Sequence, residues 1–295
     1  MKTLPKLISI VGPTATGKSD LAVAVALHMQ KKYGKTAEII STDSRQVYIG
    51  LDIGTGKITE EEMKGVVHHM IDIVSPLETY TVFQFAKTAE QIIQDIHARG
   101  NIPILCGGTG QYNDALVTGH SGAPVPPNQY LRDTFEKMHD EEVFTYLQKL
   151  SKEKECDISQ VDIRNKRRMI RAIEIIEAIG HIPKIEKTNH YDVITIGLDM
   201  DSEVLRARIE KRLLARLEAG MIEESKLLLE KGLVTDERMQ KLGLEYAYIS
   251  MLLNEQITEA EFKEQLFYAI WHYAKRQRTW FKRDQSITWF DASIR

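Results

Sequence analysis

The sequence is poor in cysteine and nearly balanced in charge. Cys106 and Cys156 are its only cysteines, far apart and outside any metal-ligand spacing, which argues against a disulfide framework and a thiolate zinc site. Lys and Arg number 39 against 42 Asp and Glu, a formal net charge of -3. Any contact with nucleic acid must therefore come from a local basic patch rather than from the total charge.

Long apolar segments are also missing. The longest apolar stretch covers residues 21–27, whereas a membrane-spanning helix needs roughly 20 apolar residues. The first residues carry an apolar run that is too short for the core of a signal peptide. We therefore expect a cytoplasmic, reduced and soluble protein without membrane contact.

What is present is the composition of a globular protein. Of the 295 residues, 43% are hydrophobic and 27% are charged, which excludes a disordered or collagen-like chain. The length suits one large domain or two ordinary ones.

Short β-branched runs alternate with stretches of helical periodicity. We predict strands at residues 7–11, 38–42, 69–74, 102–106, 193–198 and 287–290, and helices at 20–32, 83–99, 202–217 and 259–282. This alternation predicts an α/β fold, a P-loop-type parallel sheet flanked by helices. Residues 1–118 and 191–295 would form this core. Residues 119–190, opened by a Gly- and Pro-rich linker at 119–127 and leaving through residues 189–192, would form a mostly helical insertion domain.

One motif predicts a phosphate site. The pattern G-x-x-x-x-G-K-[ST] follows the first strand and precedes a helix, so backbone N–H groups would surround an anion at the helix N-terminus. A lysine would add charge and a serine hydroxyl could ligate Mg²⁺. The predicted diphosphate-binding residues are Gly12, Pro13, Thr14, Ala15, Thr16, Gly17, Lys18 and Ser19.

The motif does not say which phosphate is bound. An ATP-dependent small-molecule kinase would use the same loop, although the sequence shows no Arg-rich lid for such an enzyme. Asp43 ends the second predicted strand, at the edge where parallel sheets bind ligands. Its carboxylate could accept a proton or help to order a metal ion, or it could simply cap a turn. Asp72, predicted near the end of the third strand, is a second acidic candidate.

Five segments together resemble the bacterial tRNA dimethylallyltransferase family, also called tRNA isopentenyl (IPP) transferases. They are GPTATGKS, DSRQVYIGLDIGTGK, HHMIDIVSP, GGTGQYNDAL and AKRQRTWF, spread in family order from Gly12 to Phe281. The resemblance implies that the loop holds the diphosphate of dimethylallyl diphosphate. It implies that the acceptor is N6 of the adenosine at position 37, next to the anticodon of tRNA.

The resemblance also implies roles for individual residues. Asp43 would be the general base, Thr14 and Lys18 would complete the catalytic set, and Ser19 with Asp43 would place Mg²⁺. The implied tRNA-binding residues are Asp43, Ser44, Arg45, Gln46, Thr109, Arg132, Arg167, Arg168, Met169, Ile170, Arg171, Gly243, Lys275, Arg276, Gln277 and Arg278. Gln111, Asn113, Leu244 and Glu245 depart from the family pattern.

Several alternatives remain open at this stage. Taken alone, the basic run at residues 164–171 would be a solvated helix face, and the aromatic residues of the last helix have core spacing. A prenyltransferase acting on free adenine nucleotides, the kinase and a nucleotide-binding module without chemistry are the rivals. A free nucleotide needs no extended cationic surface, so the basic insertion favours the anticodon loop of tRNA as the partner. We expect a monomer.

Overall fold

The computed structural model describes residues 4–119, 122–183 and 190–293. The predicted exit of the insertion at Asn189 therefore lies outside the described residues. The strands are β1 (Lys6–Val11), β2 (Ala37–Ser41), β3 (His68–His69), β4 (Ile102–Gly107), β5 (Asp192–Asp199) and β6 (Thr288–Asp291). The helices are α1 (Lys18–Tyr33), α2 (Glu60–Met63), α3 (Val82–Ala98), α4 (Gly110–Val117), α5 (Gln129–Glu136), α6 (Asp140–Glu153), α7 (Lys166–Ile179), α8 (Ser202–Glu218), α9 (Met221–Glu230), α10 (Asp236–Leu242), α11 (Leu244–Leu253) and α12 (Glu259–Phe281).

The strands form one six-stranded sheet in the order β3-β2-β4-β1-β5-β6, and every pairing is parallel. The central strands are almost wholly buried, as expected where helices cover both faces of a parallel sheet. The predicted α/β fold with a parallel sheet is confirmed. The carboxyl ends of β1, β2 and β4 lie side by side at one edge of the sheet.

Neighbouring strand residues pack on opposite faces of the sheet. Ile39 and Ile104 join the core against α1, whereas Ile40 and Leu105 join the core against α3 and α4. A third core links the loop after β2 to helices α8 to α12 through Val47, Tyr48 and Leu51. The segment after β2 is therefore anchored to the carboxyl-terminal helices.

The third strand is much shorter than the predicted 69–74. It pairs only His68 and His69 with β2, because Met70 and Asp72 adopt φ angles of 65° and 54°. These left-handed conformations cannot continue a strand. Asp72 thus lies in a turn, where its carboxylate binds the Lys57 ammonium group and accepts from the Gly50 N–H.

The chain divides into two compact units, Met1–Gly119 with Thr188–Arg295, and His120–Lys187. The second unit contains α5, α6 and α7 around its own core, to which Phe135, Val143, Leu147 and Ile173 contribute. Its bounds lie close to the predicted insertion at 119–190. No helix in the described part of the chain has the length and apolar character needed to cross a membrane.

Candidate active site

The phosphate loop, residues 12–19, joins β1 to α1 and has a backbone that its glycines make possible. Gly12 has φ of 142°, and a Cβ there would lie 2.2 Å from the carbonyl oxygen of Leu198. Gly17 adopts φ of 85° as the N-cap of α1, and Ala15 is left-handed with φ of 64°. The strand, loop and helix predicted for this motif are all present.

Lys18 is folded back under the loop. Its Nζ donates to the Pro13 carbonyl oxygen at 2.7 Å, and the Thr16 hydroxyl donates to the same oxygen at 2.9 Å. Loss of water around the ammonium group lowers the pKa of Lys18 to about 8; Arg212 lowers it further, whereas Cys106 and Asp43 act in the opposite direction. An anion bound in the loop would favour the protonated form.

Arg212 is a site residue that the sequence analysis missed. It projects from α8, and its guanidinium donates to the Thr14 hydroxyl at 3.2 Å and to the Gly56 carbonyl oxygen at 3.2 Å. Burial lowers its pKa, with Arg216 adding to the effect. The available signal was the i, i+4, i+8 spacing of Arg208, Arg212 and Arg216, which places three guanidinium groups along one side of a helix.

Asp43 follows β2 at the same edge of the sheet. Its Oδ1 accepts from the N–H groups of Arg45 at 2.8 Å and Gln46 at 3.4 Å, which fixes the turn. Its Oδ2 has no hydrogen-bond partner within residues 4–119, 122–183 and 190–293. The carboxylate is thus oriented by one oxygen and available through the other.

Tyr273 of α12 and Thr109 lie around Asp43. Burial raises the pKa of Tyr273 to about 12, the charge of Asp43 adds to this, and a hydrogen bond with Thr109 opposes it. The Ser44 N–H donates to the Thr109 hydroxyl at 3.1 Å. Residues at the ends of β2 and β4 therefore form one polar cluster, as the family resemblance implied for Asp43, Ser44 and Thr109.

Gln46 and Arg45 differ in their surroundings. The Gln46 side chain accepts from the Ser41 hydroxyl at 3.1 Å and donates to the Gly56 carbonyl oxygen at 3.3 Å, so both ends of its amide are occupied within the protein. Arg45 is half-buried, and its guanidinium makes no hydrogen bond to another described residue. Gln46 keeps one amide N–H for a substrate, whereas Arg45 keeps all the donors of its guanidinium.

Gln277 and Arg278, both predicted to bind tRNA, make internal contacts. Gln277 is 6% exposed; its Oε1 accepts from the Thr14 N–H at 2.9 Å, and its Nε2 donates to the Gly108 carbonyl oxygen at 2.9 Å. Arg278 is also committed within the protein, to Asp199 at 2.7 Å, to the Ser202 hydroxyl and to the Met200 carbonyl. Both side chains are held by these internal contacts, and their tRNA roles stay predictions.

Lys275 and Arg276 are exposed on α12. The Lys275 ammonium lies 5.0 Å from the ring centre of Trp271, and the Arg276 guanidinium lies 5.7 Å from that of Tyr273. Aromatic contacts of this kind orient a long side chain without neutralising it. Both residues keep the accessibility that their predicted tRNA role requires.

The predicted tRNA-binding residues Met169, Ile170 and Arg171 on α7 and Arg132 on α5 have different environments. Met169 and Ile170 are 1% and 3% exposed, and their side chains pack in the core of their unit; the tRNA role implied for them stays a prediction. Arg132 and Arg171 bind the fully buried carboxylate of Glu174 at 2.7 and 2.9 Å. Arg132 and Arg171 are therefore tied to this buried carboxylate.

The first turn of α7 keeps more exposed charge. Arg168 is 61% exposed and pairs with Asp162 at 3.2 Å. Arg167 is exposed and makes no ion pair with another described residue. Arg164 lies before the helix, which begins at Lys166, so the basic run at residues 164–171 is only partly helical.

Two of the four residues that depart from the family pattern, Asn113 and Glu245, have side-chain partners within the protein. Asn113 is buried, and its Oδ1 accepts from the Ser9 hydroxyl at 2.6 Å; Gln111 is exposed. Gly243 joins α10 to α11 with φ of 74°, and Leu244 follows with φ of 42°. Glu245 pairs with Arg216 at 3.0 Å. Glu245 is thereby committed to an internal ion pair.

Ser19 and Asp43 are the predicted ligands of Mg²⁺. No three His, Cys, Asp or Glu side chains are grouped to hold a metal ion within the described ranges 4–119, 122–183 and 190–293. The oxygens of a serine hydroxyl and a carboxylate nevertheless suit Mg²⁺, which commonly takes few protein ligands and completes its shell with phosphate and water. The residues present fit such an ion.

Together, the parallel sheet, the phosphate loop after β1 and the Asp43 carboxylate after β2 define a P-loop-type α/β enzyme. The chain belongs to the IPP transferase family, whose family model matches residues 46–284. It is 36% identical to the tRNA dimethylallyltransferase of Anoxybacillus flavithermus, covering 97% of this chain and 90% of that protein. It is 37% identical to tRNA dimethylallyltransferase 1 of Parabacteroides distasonis, covering 98% and 93%.

Solved structures agree. The full-length tRNA isopentenylpyrophosphate transferase of Bacillus halodurans has a TM-score of 0.71 at 36% identity, covering 97% of this chain and 90% of that one. A eukaryotic dimethylallyltransferase acting on tRNA has a TM-score of 0.78 at 26% identity, covering 98% and 74%. The family resemblance and the enzyme class predicted from the five motifs are therefore confirmed.

Proposed function

We propose that this enzyme transfers the dimethylallyl group of dimethylallyl diphosphate to N6 of the adenosine at position 37 of tRNA, next to the anticodon, and releases diphosphate. The observation that carries the proposal is the position of Asp43. Its carboxylate follows β2 at the edge of the sheet where the phosphate loop follows β1, with the end of β4 between them, and its Oδ2 is unoccupied by any described residue. Prenyl transfer needs no kinase lid. Membership of the IPP transferase family supports the proposal.

The donor would lie with its diphosphate in the phosphate loop. Backbone N–H groups, Lys18 and the Thr14 hydroxyl would bind the phosphate oxygens, and Arg212 adds a guanidinium at Thr14. These groups stabilise the negative charge that grows on the departing diphosphate, which is where preorganised electrostatics lower a barrier most. Mg²⁺ held by Ser19, with Asp43 acting through the water shell of the ion, would supply further positive charge to the departing diphosphate.

Asp43 would act on the acceptor. As the C–O bond to the diphosphate breaks, the N6 lone pair forms the new C–N bond and Oδ2 takes the proton that N6 releases. A carboxylate oxygen has the lone pairs to accept this proton. The adenine must leave its stack to reach this position, which costs a few kcal/mol.

The anticodon loop of tRNA is the acceptor that the basic residues support. Sequence-specific proteins read RNA mostly in single-stranded loops, where bases can be splayed out. Arg45, Arg167, Arg168, Lys275 and Arg276 supply exposed or unpaired cationic groups. We also propose that the enzyme acts in the cytoplasm, where its tRNA substrate is found, and that it acts as a monomer.

The test is a transfer assay with three acceptors. The protein is incubated with dimethylallyl diphosphate and Mg²⁺ together with unmodified tRNA, with AMP or with ATP. Nuclease digestion and mass spectrometry then locate any prenyl increment, and diphosphate release is measured in parallel. We expect modification of adenosine 37 in tRNA only. Prenylated AMP or ATP with untouched tRNA would overturn the proposal, as would tight ATP binding without use of the isoprenoid donor.

A further inference from the structure

Loop 52–56, which follows the buried anchor Leu51, is held by charged side chains from two helices. The carboxylate of Glu224, on α9, accepts from three consecutive backbone N–H groups: Oε2 from Asp52 at 3.0 Å and Ile53 at 2.7 Å, and Oε1 from Gly54 at 3.1 Å. The Tyr246 hydroxyl donates to Oε1 at 3.3 Å. All four partners are donors, so this position requires a group that only accepts.

The opposite edge of the loop is held by an arginine. Arg216 of α8 donates to the Gly54 carbonyl oxygen at 2.7 Å and pairs with Glu245 at 3.0 Å, with both side chains more than four-fifths buried. Gly54 is closely enclosed, since a Cβ at this residue would lie 2.5 Å from the Tyr246 hydroxyl. The conformation of residues 52–54 is therefore strongly determined.

A chain of hydrogen bonds runs from this loop to the phosphate loop. Ile53, whose N–H binds Glu224, accepts through its carbonyl from the Gly56 N–H at 3.0 Å. The Gly56 carbonyl accepts from Arg212, and Arg212 donates in turn to the Thr14 hydroxyl. A Cβ on Gly56 would lie 2.2 Å from the Arg212 guanidinium, so the loop is in direct contact with that group.

We propose that Glu224 is a positioning residue for the transfer reaction: it fixes loop 52–56, and the loop holds the Arg212 guanidinium against the phosphate loop. The inference rests on the proposed function, because it assigns Glu224 to the charge stabilisation of the departing diphosphate. Glu224 itself touches neither the donor nor the acceptor. Its effect reaches the reaction only through Arg212, and this distinguishes it from a residue that merely stabilises the fold.

The experiment compares Glu224→Gln with Glu223→Gln. The two substitutions remove the same charge from adjacent residues, but Glu223 is exposed and makes no hydrogen bond to the described residues. A glutamine at 224 brings an NH₂ group against backbone donors. Each variant is made in the wild-type and the Arg212→Ala backgrounds. Donor kcat/KM, tRNA KM, affinity for inorganic pyrophosphate and thermal unfolding are measured for all.

We expect Glu224→Gln to lower donor kcat/KM about 30-fold, since small misplacements of a charged group cost up to about 100-fold. Pyrophosphate affinity should fall as well, with tRNA KM unchanged within about twofold. In the Arg212→Ala background the same substitution should cost less than about threefold, because its target is gone. Glu223→Gln should change nothing. Equal losses in both backgrounds, or no loss in the wild type, would overturn the proposal.

Two further measurements keep the outcome interpretable. If Glu224→Gln shows no cooperative unfolding, Glu224→Asp replaces it, because aspartate keeps an acceptor-only head and withdraws it by one methylene. It should show a smaller loss with the same dependence on Arg212. If the wild type transfers no prenyl group, the proposed function fails, whereas pyrophosphate affinity still decides whether Glu224 acts through Arg212.

Discussion

The phosphate loop and helix α7 are both short, distinctive motifs, yet they differ in how much of their function is local. In the loop, the functional groups are backbone N–H groups whose directions follow from glycine conformations at Gly12 and Gly17. In α7, the functional groups would be side chains, and partners elsewhere in the chain decide which of them are available. The Arg171 guanidinium pairs with Glu174, and the Met169 and Ile170 side chains are buried in the core of the unit.

The difference separates two kinds of evidence. A motif that specifies backbone geometry predicts the position of its own binding site, because the residues that define the motif also provide the binding groups. A run of basic residues predicts only that charge is present, and each charge must be examined for an acidic partner before a ligand is assigned to it. The four predictions below test this contrast, in order of decreasing effect.

The largest effect is expected at Asp43, beside the phosphate loop. Asp43→Ala should lower the single-turnover rate of prenyl transfer by about 10²–10⁴, the usual contribution of a general base. Donor affinity should change less than about threefold. Asp43→Asn is the matched variant, because its side-chain oxygen can still accept from Arg45 and Gln46 but cannot take a proton. Equal losses of rate and donor affinity would contradict the base role.

Next is the stability of the unit that contains α7. Arg171→Ala should lower its free energy of unfolding by about 2 kcal/mol, measured in urea, since Glu174 keeps only part of its charge compensation in a buried position. Arg167→Ala is the control and should change stability by less than about 0.5 kcal/mol. If the two variants unfolded alike, the distinction between tied and available arginines in this helix would be lost.

The pH profile of donor kcat/KM should also have an alkaline limb, caused by Lys18 of the phosphate loop. The pKa of Lys18 is lowered to about 8, so its charge is lost as the pH of the free enzyme rises above 8. Donor kcat/KM should then fall tenfold per pH unit, and Lys18→Arg should abolish this limb. Between pH 8 and 10.5 an unfolded chain binds more protons at this lysine than the folded one does, so this group's contribution to stability rises with pH. A flat profile in the wild type would remove Lys18 from anion binding.

The smallest effect separates arginines within α7. Arg167→Ala should weaken tRNA binding about threefold and make its salt dependence shallower, because one phosphate contact is lost. Arg168→Ala should act in the same direction but less strongly, since Arg168 is shared with Asp162. Donor affinity should stay unchanged in both. An unaltered salt slope for Arg167→Ala would exclude a phosphate contact there.

Much of the fold could be predicted because it depends on local pattern. The apolar strands and the loop between β1 and α1 follow from short windows of sequence. The third strand was predicted too long because apolar residues continue past His69, whereas the positive φ angles of Met70 and Asp72 end the strand. Apolar pattern alone cannot reveal such a turn.

The site was only partly predictable because several of its contacts join distant segments. Gln277 and Arg278 lie in a basic, polar stretch that suits RNA binding, and only the folded chain shows their amide and guanidinium bound to Gly108 and Asp199. Arg212 and Glu224 were missed for the same reason. Their partners in the loop after β2 precede them by more than 150 residues.

The Gln277 amide has a consequence for the order of folding. The side chain that holds the Thr14 N–H and the Gly108 carbonyl together follows them in the chain by 263 and 169 residues. Contacts of long sequence separation form only after a large chain loop has closed, which costs entropy. The anion pocket therefore stays unfinished until α12 docks, so that catalytic competence waits for a contact between segments far apart in the chain.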